Sequence, residues 1–328
     1  MSTRMNLSNS KYLPASRLSR REMLVISSAA LTSCGIAGAD EQIVKASGNG
    51  CLLGFSTYGM PSLKSEKAID VLAEIGFDAV ELTVRDGWDA DSAKLTPARR
   101  KAIRKRLDDS ALRLTSLMEH VFPTSDKHQA VALQRLKLAA EVAHDLSPDA
   151  PPLVQTVLGG GDFEQLKTQL RDRLGEWVRI AEATHTTIAI KPHRGGVVSQ
   201  PAEAVWLFEQ LNKPDRLRMV YDYSHYAFRD LPMADTIEVS LPYVAHVAVK
   251  DAAREKDRVV FKLPGEAGTI DFAKLIRRLH AGGYRGDINC EVSGMVSGQP
   301  GYDAVAAARV CYRNISAAFD RSGVRRPG

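Results

Sequence analysis

At 328 residues, 44% of them hydrophobic and 25% charged, the chain has the material for a large globular core and is too apolar for a disordered tract. Its formal charge of +5 and pI near 9.0 suggest an acidic partner, but residues 1–34 alone carry +4, through Arg4, Lys11, Arg17, Arg20 and Arg21 against Glu22. The remainder carries +1 and shows no basic stripe interleaved with aromatics, which argues against a nucleic-acid partner.

In chain order, the first signal is Ser19-Arg20-Arg21-Glu22-Met23-Leu24, a twin-arginine pattern that runs into a short apolar stretch over 24–31. That stretch is too short to span a bilayer and has the length of a signal h-region. Leu31-Thr32-Ser33-Cys34 is similar to a lipobox, which would put a lipid on Cys34 and make it the mature N-terminus. Ala37-Gly38-Ala39 offers plain cleavage by the small-x-small rule instead. Either route predicts export, to the periplasm or to a lipid anchor on the cell envelope, with membrane contact only through that lipid. Residues 35–50 are a polar, Gly-rich tether. Cys51, Cys290 and Cys311 complete the four cysteines; with no C-x-x-C pair they argue against a disulfide framework and leave a Cys290–Cys311 bridge open.

From residue 51 to 322 short β-type runs alternate with longer amphipathic stretches, and a short tail, 323–328, follows. The runs are 52–56, 79–84, 113–118, 153–158, 187–191, 218–222, 244–250 and 287–292. Between them, Ala68, Val71, Leu72 and Ile75 sit at helical spacing and stop at Gly76. Thr96-Pro97 is an N-cap and first-turn signal, and Asp271 caps a helix with Leu275, Ile276 and Leu279 that ends at Gly282-Gly283. The last helix carries Ala304, Ala308, Cys311, Ile315 and Phe319. Eight strand–helix units predict a single-domain (β/α)8 TIM barrel, with a doubly wound open sheet as the alternative.

In such a barrel the C-terminal strand ends converge, and here they carry Glu81, Glu119-His120, Lys191 with His193, Asp222 with His225, Lys250-Asp251 and Glu291. The fifth run is the most informative. In Ile188-Ala189-Ile190-Lys191-Pro192-His193-Arg194-Gly195-Gly196, alternation puts Lys191 and His193 on one side before the backbone loosens. Buried charges of this kind must meet partners.

Tyr221-Asp222-Tyr223-Ser224-His225, His246-Val247-Ala248-Val249-Lys250-Asp251, Leu263-Pro264-Gly265-Glu266 and Cys290-Glu291-Val292 together resemble the sugar phosphate isomerase/epimerase family, which belongs to the xylose isomerase-like TIM barrels. The resemblance implies a divalent metal (Mn2+, Mg2+ or Co2+) held by Glu, Asp, His and Glu from the last four strands. It also implies proton abstraction beside a sugar carbonyl through an enediolate. Carried over by residue, Asp222 and Glu291 match metal ligands and His225 a substrate contact. Lys191, however, stands where the family has Glu, and Ala248 where it has the ligand His.

Three accounts compete. His193, one pleat beyond Lys191, replaces the lost Glu and the metal persists; or Lys191 supplies the cation between Asp222 and Glu291; or the site binds a sugar without turning it over. Lys191, His193, His225 and Lys250 are therefore the catalytic candidates, with imidazole suited to acid/base work. Glu81, His120, Arg194 and Glu266 are candidates for contacts to a small sugar or sugar derivative, Glu266 on a loop that resembles the family's pocket cover. The expectation is an exported sugar isomerase or epimerase that isomerises, epimerises or eliminates; the alternative is a non-catalytic carbohydrate-binding lipoprotein. Endonuclease IV-type nucleases share the fold but need more His and carboxylate ligands than these strand ends offer.

Overall fold

The computed structural model describes residues 50–327. The leader over 1–34, with Cys34, and the tether as far as residue 49 lie outside the described residues. Parallel strands β1 (Leu52–Ser56), β2 (Ala79–Thr83), β3 (Arg113–Met118), β4 (Leu153–Thr156), β5 (Ile188–Ile190), β6 (Leu217–Tyr221) and β7 (Val244–Val249) occur in sequence order. An antiparallel hairpin, β8 (Asp251–Glu255) with β9 (Arg258–Lys262), precedes the last barrel strand, β10 (Asp287–Cys290). The spatial order β1-β10-β7-β6-β5-β4-β3-β2 closes on itself, which decides for the barrel over the open sheet.

Helices α1 (Ser65–Ile75), α2 (Pro97–Ser110), α3 (Asp126–Leu146), α4 (Phe163–Ala183), α5 (Pro201–Gln210), α6 (Met233–Ser240) and α7 (Phe272–Ala281) connect the strands. Short α8 (Gly294–Ser297) and long α9 (Ala304–Ser322) end the chain. Their boundaries follow the local chemistry. Gly76 ends α1 at φ 100°, a left-handed conformation that costs glycine nothing. The Thr96 hydroxyl accepts from Arg99 N, and the Asp271 carboxylate from Lys274 N, so each cap satisfies an otherwise orphaned amide. The fifth run is shorter than its pattern predicts because Pro192 has no N–H, although Lys191 N still donates to Thr156 O at 2.9 Å. Among the described residues no helix is long and apolar enough to cross a membrane.

Two cores result from strand alternation. Ile188, Ile190, Met219, Tyr221, Val247 and Val249 belong to the large cluster shared with the helices. Their neighbours Ala189, Val220 and Ala248 form a separate small cluster, the filling of the barrel interior. Cys290 and Cys311 are free thiols buried in the outer core, so no bridge joins them. Residues 325 and 326 do more than trail: Arg325 O accepts from Cys51 N at 3.1 Å, and Arg326 pairs with Asp78 at 2.7 Å.

Gly54 shows how tightly the interior is filled. A Cβ there would lie 2.8 Å from the Asn289 Oδ1 and 3.4 Å from Ala79 Cβ. Gly54→Ala is expected to lower stability by about 1–3 kcal/mol, the usual penalty for overpacking, measured as a shift of the urea midpoint without a change in slope.

Candidate active site

Ala189, Val220 and Ala248 share the inner face of the barrel, so the residues two positions on, Lys191, Asp222 and Lys250, project inward one pleat higher. Glu291 stands in the same relation to Asn289, whose strand pairs with β7 through Asn289↔Ala248. Each of the four directly follows its strand, and the four strands β5, β6, β7 and β10 are neighbours in the wall. The site is thus a consequence of register. All four residues are buried, none more than 6% exposed.

They form one ionic network. Lys250 Nζ donates to Asp222 Oδ2 and, at 2.7 Å, to Glu291 Oε1. Lys191 Nζ donates to Glu291 Oε2 and lies 4.0 Å from Asp222 Oδ2. The Ser224 hydroxyl steadies the other Asp222 oxygen at 2.6 Å. Burial alone would raise both carboxyl pKa values, but the lysines outweigh it and hold Asp222 and Glu291 below the usual carboxylate range. For Lys250 burial likewise works against the charge, yet Asp222 and Glu291 win and lift it above its ordinary value. Lys250 has committed two of its three N–H groups and Lys191 only one.

One layer deeper lies a second network. His246 Nδ1 sits 2.9 Å from Asp287 Oδ1, and its Nε2 3.3 Å from Glu81 Oε2. Glu81 Oε2 also accepts from Ser116 Oγ at 2.7 Å and Gln155 Nε2 at 3.0 Å, and Asp287 from Thr115 Oγ1 at 2.8 Å. Burial opposes a charge on His246, but Asp287 and Glu81 prevail and push it up to about 10. Glu81 therefore supports the floor from inside the barrel, where it is fully buried.

Two imidazoles complete the mouth. The His193 and His225 rings are 4.0 Å apart, centroid to centroid, and Phe261 from the hairpin stands 5.1 Å from His225 and 5.2 Å from Lys250 Nζ. Burial, then Lys250 and Lys191, push His193 down to about 4, and the same causes push His225 well down. Both rings are neutral at pH 7. Among the described residues neither nitrogen of His225 has a hydrogen-bond partner, although Nε2 is 3.4 Å from Asp222 Oδ2.

The remaining candidates are tied to groups outside this ionic network, although His120 lies near enough to His193 to feel its charge. His120 is exposed, with Arg85 Nη2 2.5 Å from its Nδ1. Glu119 is tied to Arg135 at 2.6 Å, a pairing between α3 and the rim. Arg194 donates to Ala227 O. Glu266 is exposed and accepts from Leu263 N at 3.0 Å; the loop is fastened instead by Asp251, which accepts from Gly268 N at 2.9 Å. Sequence reasoning missed Phe261, although Val259-Val260-Phe261 after the polar Lys256-Asp257 is a hairpin signal. It also missed the His246 network, in which three residues far apart in the chain meet only through barrel register.

The chain belongs to the xylose isomerase-like TIM barrel family, whose sequence profile matches residues 69–313. A Mus musculus protein named "Putative hydroxypyruvate isomerase" is 32% identical over 91 residues, 28% of this chain and 30% of that protein's length. Among solved structures, an apo 3-keto-D-glucoside 4-epimerase from E. coli superposes with a TM-score of 0.64 at 14% identity, over 82% of this chain and 99% of that one. D-psicose 3-epimerase with D-fructose gives 0.66 at 14% over 83% and 99%. A Mycobacterium smegmatis barrel of this kind in complex with magnesium gives 0.63 at 16% over 83% and 97%. These identities establish a shared fold.

The donor set here does not fit a divalent ion. Between Asp222 and Glu291 the counter-charge is already supplied by two ammonium groups, and an ion there would have to displace both. On β7, Ala248 offers no donor, and on the β5 end Lys191 offers a cation. His193, the candidate replacement ligand, rests against His225 beside both lysines. Among the described residues no group of three His, Cys, Asp or Glu side chains is arranged to hold an ion.

The His246 network makes stability pH-dependent in a defined direction. The folded pKa of about 10 lies above the ordinary 6.5, so its contribution is complete below pH 6.5 and is lost as pH rises through 10. Denaturant midpoints measured across that window are expected to fall steadily for the native chain, whereas His246→Gln starts lower and loses this slope.

Proposed function

We propose that this protein is a sugar isomerase or epimerase that moves a proton beside the carbonyl of a sugar or sugar derivative, with the lysine pair as its electrophile. The observation that carries this reading is the convergence of Lys191, Lys250, Asp222 and Glu291 beside two neutral imidazoles. Structural relatives named as sugar epimerases support it.

Lys191, with two N–H groups uncommitted, is placed to donate to the substrate carbonyl oxygen, while Lys250 fixes the two carboxylates. His193 takes the proton from the carbon next to the carbonyl. The C–H electron pair becomes the C=C of an enediolate, and the carbonyl oxygen takes the negative charge beside the ammonium groups. His193 has a low proton affinity in the resting protein because it faces cations. Negative charge on the enediolate oxygen raises that affinity as the proton moves. Return of the proton to the same carbon on its other face gives epimerisation, return to the neighbouring carbon gives isomerisation, and loss of a leaving group gives elimination. His225, with both nitrogens unpartnered, can relay the hydroxyl proton that isomerisation requires.

The test is solvent deuterium incorporation into keto and aldo sugars in the presence of a chelator. Exchange is expected to persist there, to stay level through the ordinary histidine range near pH 6.5, and to fall at least ~100-fold in Lys191→Met. A strict requirement for added Mn2+ would overturn the lysine-based mechanism. Tight sugar binding with no exchange would favour the carbohydrate-binding lipoprotein instead.

We also assign the protein to the cell envelope, on the twin-arginine pattern and Cys34. Export disfavours phosphorylated sugars, which are chiefly cytoplasmic metabolites. Fractionation of cells expressing the full chain is expected to find it in the membrane fraction, and Cys34→Ala to release it to the soluble periplasm.

A further inference from the structure

Some arginines away from the site, among them Arg216, Arg277 and Arg285, donate to backbone carbonyls, while Arg99 is matched by Glu66 and Asp89, Arg106 by Asp70, Arg135 by Asp91 and Glu119, and Arg326 by Asp78. Three on the site's rim are held by neutral groups instead. Arg194, after β5, donates to the carbonyl of Ala227. Arg229, after β6, donates to the carbonyl of Ser199 at 2.6 Å and to its hydroxyl at 3.1 Å. Arg254, on β8, lies over the ring of Phe228, 5.3 Å from its centroid. Residues 227, 228 and 229 are consecutive, so one short segment gathers all three guanidinium groups. Arg194 feels the charge of both others. Its Nε is buried without a hydrogen-bond partner among the described residues. The nearby Glu255 is no counter-ion, because it pairs with Lys262 at 2.7 Å.

The segment is also strained. Phe228 has φ 63°, a region that bulky residues rarely adopt, and Asp230 has φ 52°. The strained backbone holds the Phe228 ring 39% exposed at the tip, under Arg254. Ala227 packs with Ala252 and Phe261, and Phe261 in turn faces Lys250 and His225. The arginines therefore adjoin the lysine pair, with Phe261 between.

We propose that Arg194, Arg229 and Arg254 form an anion subsite for an acidic sugar, binding an oxyanion substituent while the carbonyl end of the same molecule reaches Lys191. The inference rests on the proton-transfer reading for the site it adjoins. Guanidinium forks match planar or tetrahedral oxyanions, and an anion relieves the mutual repulsion of three unpaired cations. Phe228 supplies an apolar face against which a sugar ring can lie.

The experiment is calorimetric titration of the full chain with D-glucuronate, glucose 6-sulfate and glucose 6-phosphate, each against neutral D-glucose. Acidic sugars are expected to bind at least about tenfold more tightly than glucose, with the preference shrinking as salt rises. Which acidic sugar binds best identifies the carboxylate, sulfate or phosphate. Arg254→Ala, at an exposed position, is expected to remove about tenfold of that preference, read as the ratio of acidic-sugar to glucose affinity. Arg194→Lys keeps the charge, loses the fork, and is expected to weaken glucuronate more than glucose. Equal binding of acidic and neutral sugars, no binding of any acidic probe, or equal losses in Arg254→Ala would overturn the subsite. Deuterium exchange into neutral sugars without an acidic preference would remove the subsite alone; acidic-sugar binding without exchange would remove the proton-transfer reading alone.

Discussion

Four ionised side chains buried at the mouth of the barrel set the terms for everything around them. An isolated charge in such a place costs several kcal/mol, and breaking a buried pair strands its partner. Lys191, Lys250, Asp222 and Glu291 meet this constraint together, as two cations against two carboxylates. No member can change alone. Ala248, on the inner face below them, fits the same constraint. A long side chain at 248 would compete with the lysine stems for the interior space that Ala189, Val220 and Ala248 keep small.

The deeper network follows from the same physics. Glu81 has Lys191 above it and His246 beside it, and both lower its pKa against the effect of burial. His246 in turn joins Glu81 to Asp287, which is fixed by Thr115. The floor is therefore a connected set of ion pairs and hydrogen bonds, although Glu81 Oε1 and His246 Nε2 make no hydrogen bond among the described residues, and it backs the lysine pair from below as the Phe261 hairpin does from the side. Rigid support of this kind is what a site needs if its electrophile is to meet a carbonyl without reorganising.

What could be known from the sequence divides along a physical line. Strand alternation and helix caps are local, so the barrel strands, the caps at Thr96 and Asp271 and the stop at Gly76 were legible from patterning. Which charged residues terminate strands was also legible, and Lys191, Asp222, Lys250 and Glu291 were all picked out. Partnership was not. Lys250 donates to both carboxylates whereas Lys191 donates to Glu291 alone, and nothing local to either lysine says so. His246 entered the sequence reading only as one residue of a motif, and its pairing with Glu81 and Asp287 depends on β2, β7 and β10 lying side by side with β1 in the closed wall. The three rim arginines come from two loops and β8, and they meet through the 227–229 segment, which carries Arg229 and contacts the other two.

Replacing a dication by ammonium groups also narrows the chemistry that this reading allows. A single positive charge stabilises a developing oxyanion less than two charges at the same distance, since the Coulomb term scales with the charge product. Low local dielectric and a fixed geometry recover part of the difference, because Lys191 needs no reorganisation to donate. The rest must come from the substrate: a carbon whose proton is already acidified by an adjacent ketone needs less help than a simple aldose. An anionic substituent held at the rim would contribute as well, by anchoring the molecule so that its carbonyl is delivered to Lys191 and not merely allowed to diffuse there. The lysine pair and the arginine rim then have separate tasks, one at the reacting carbon and one at the far end of the substrate, and Phe261 is the wall between them.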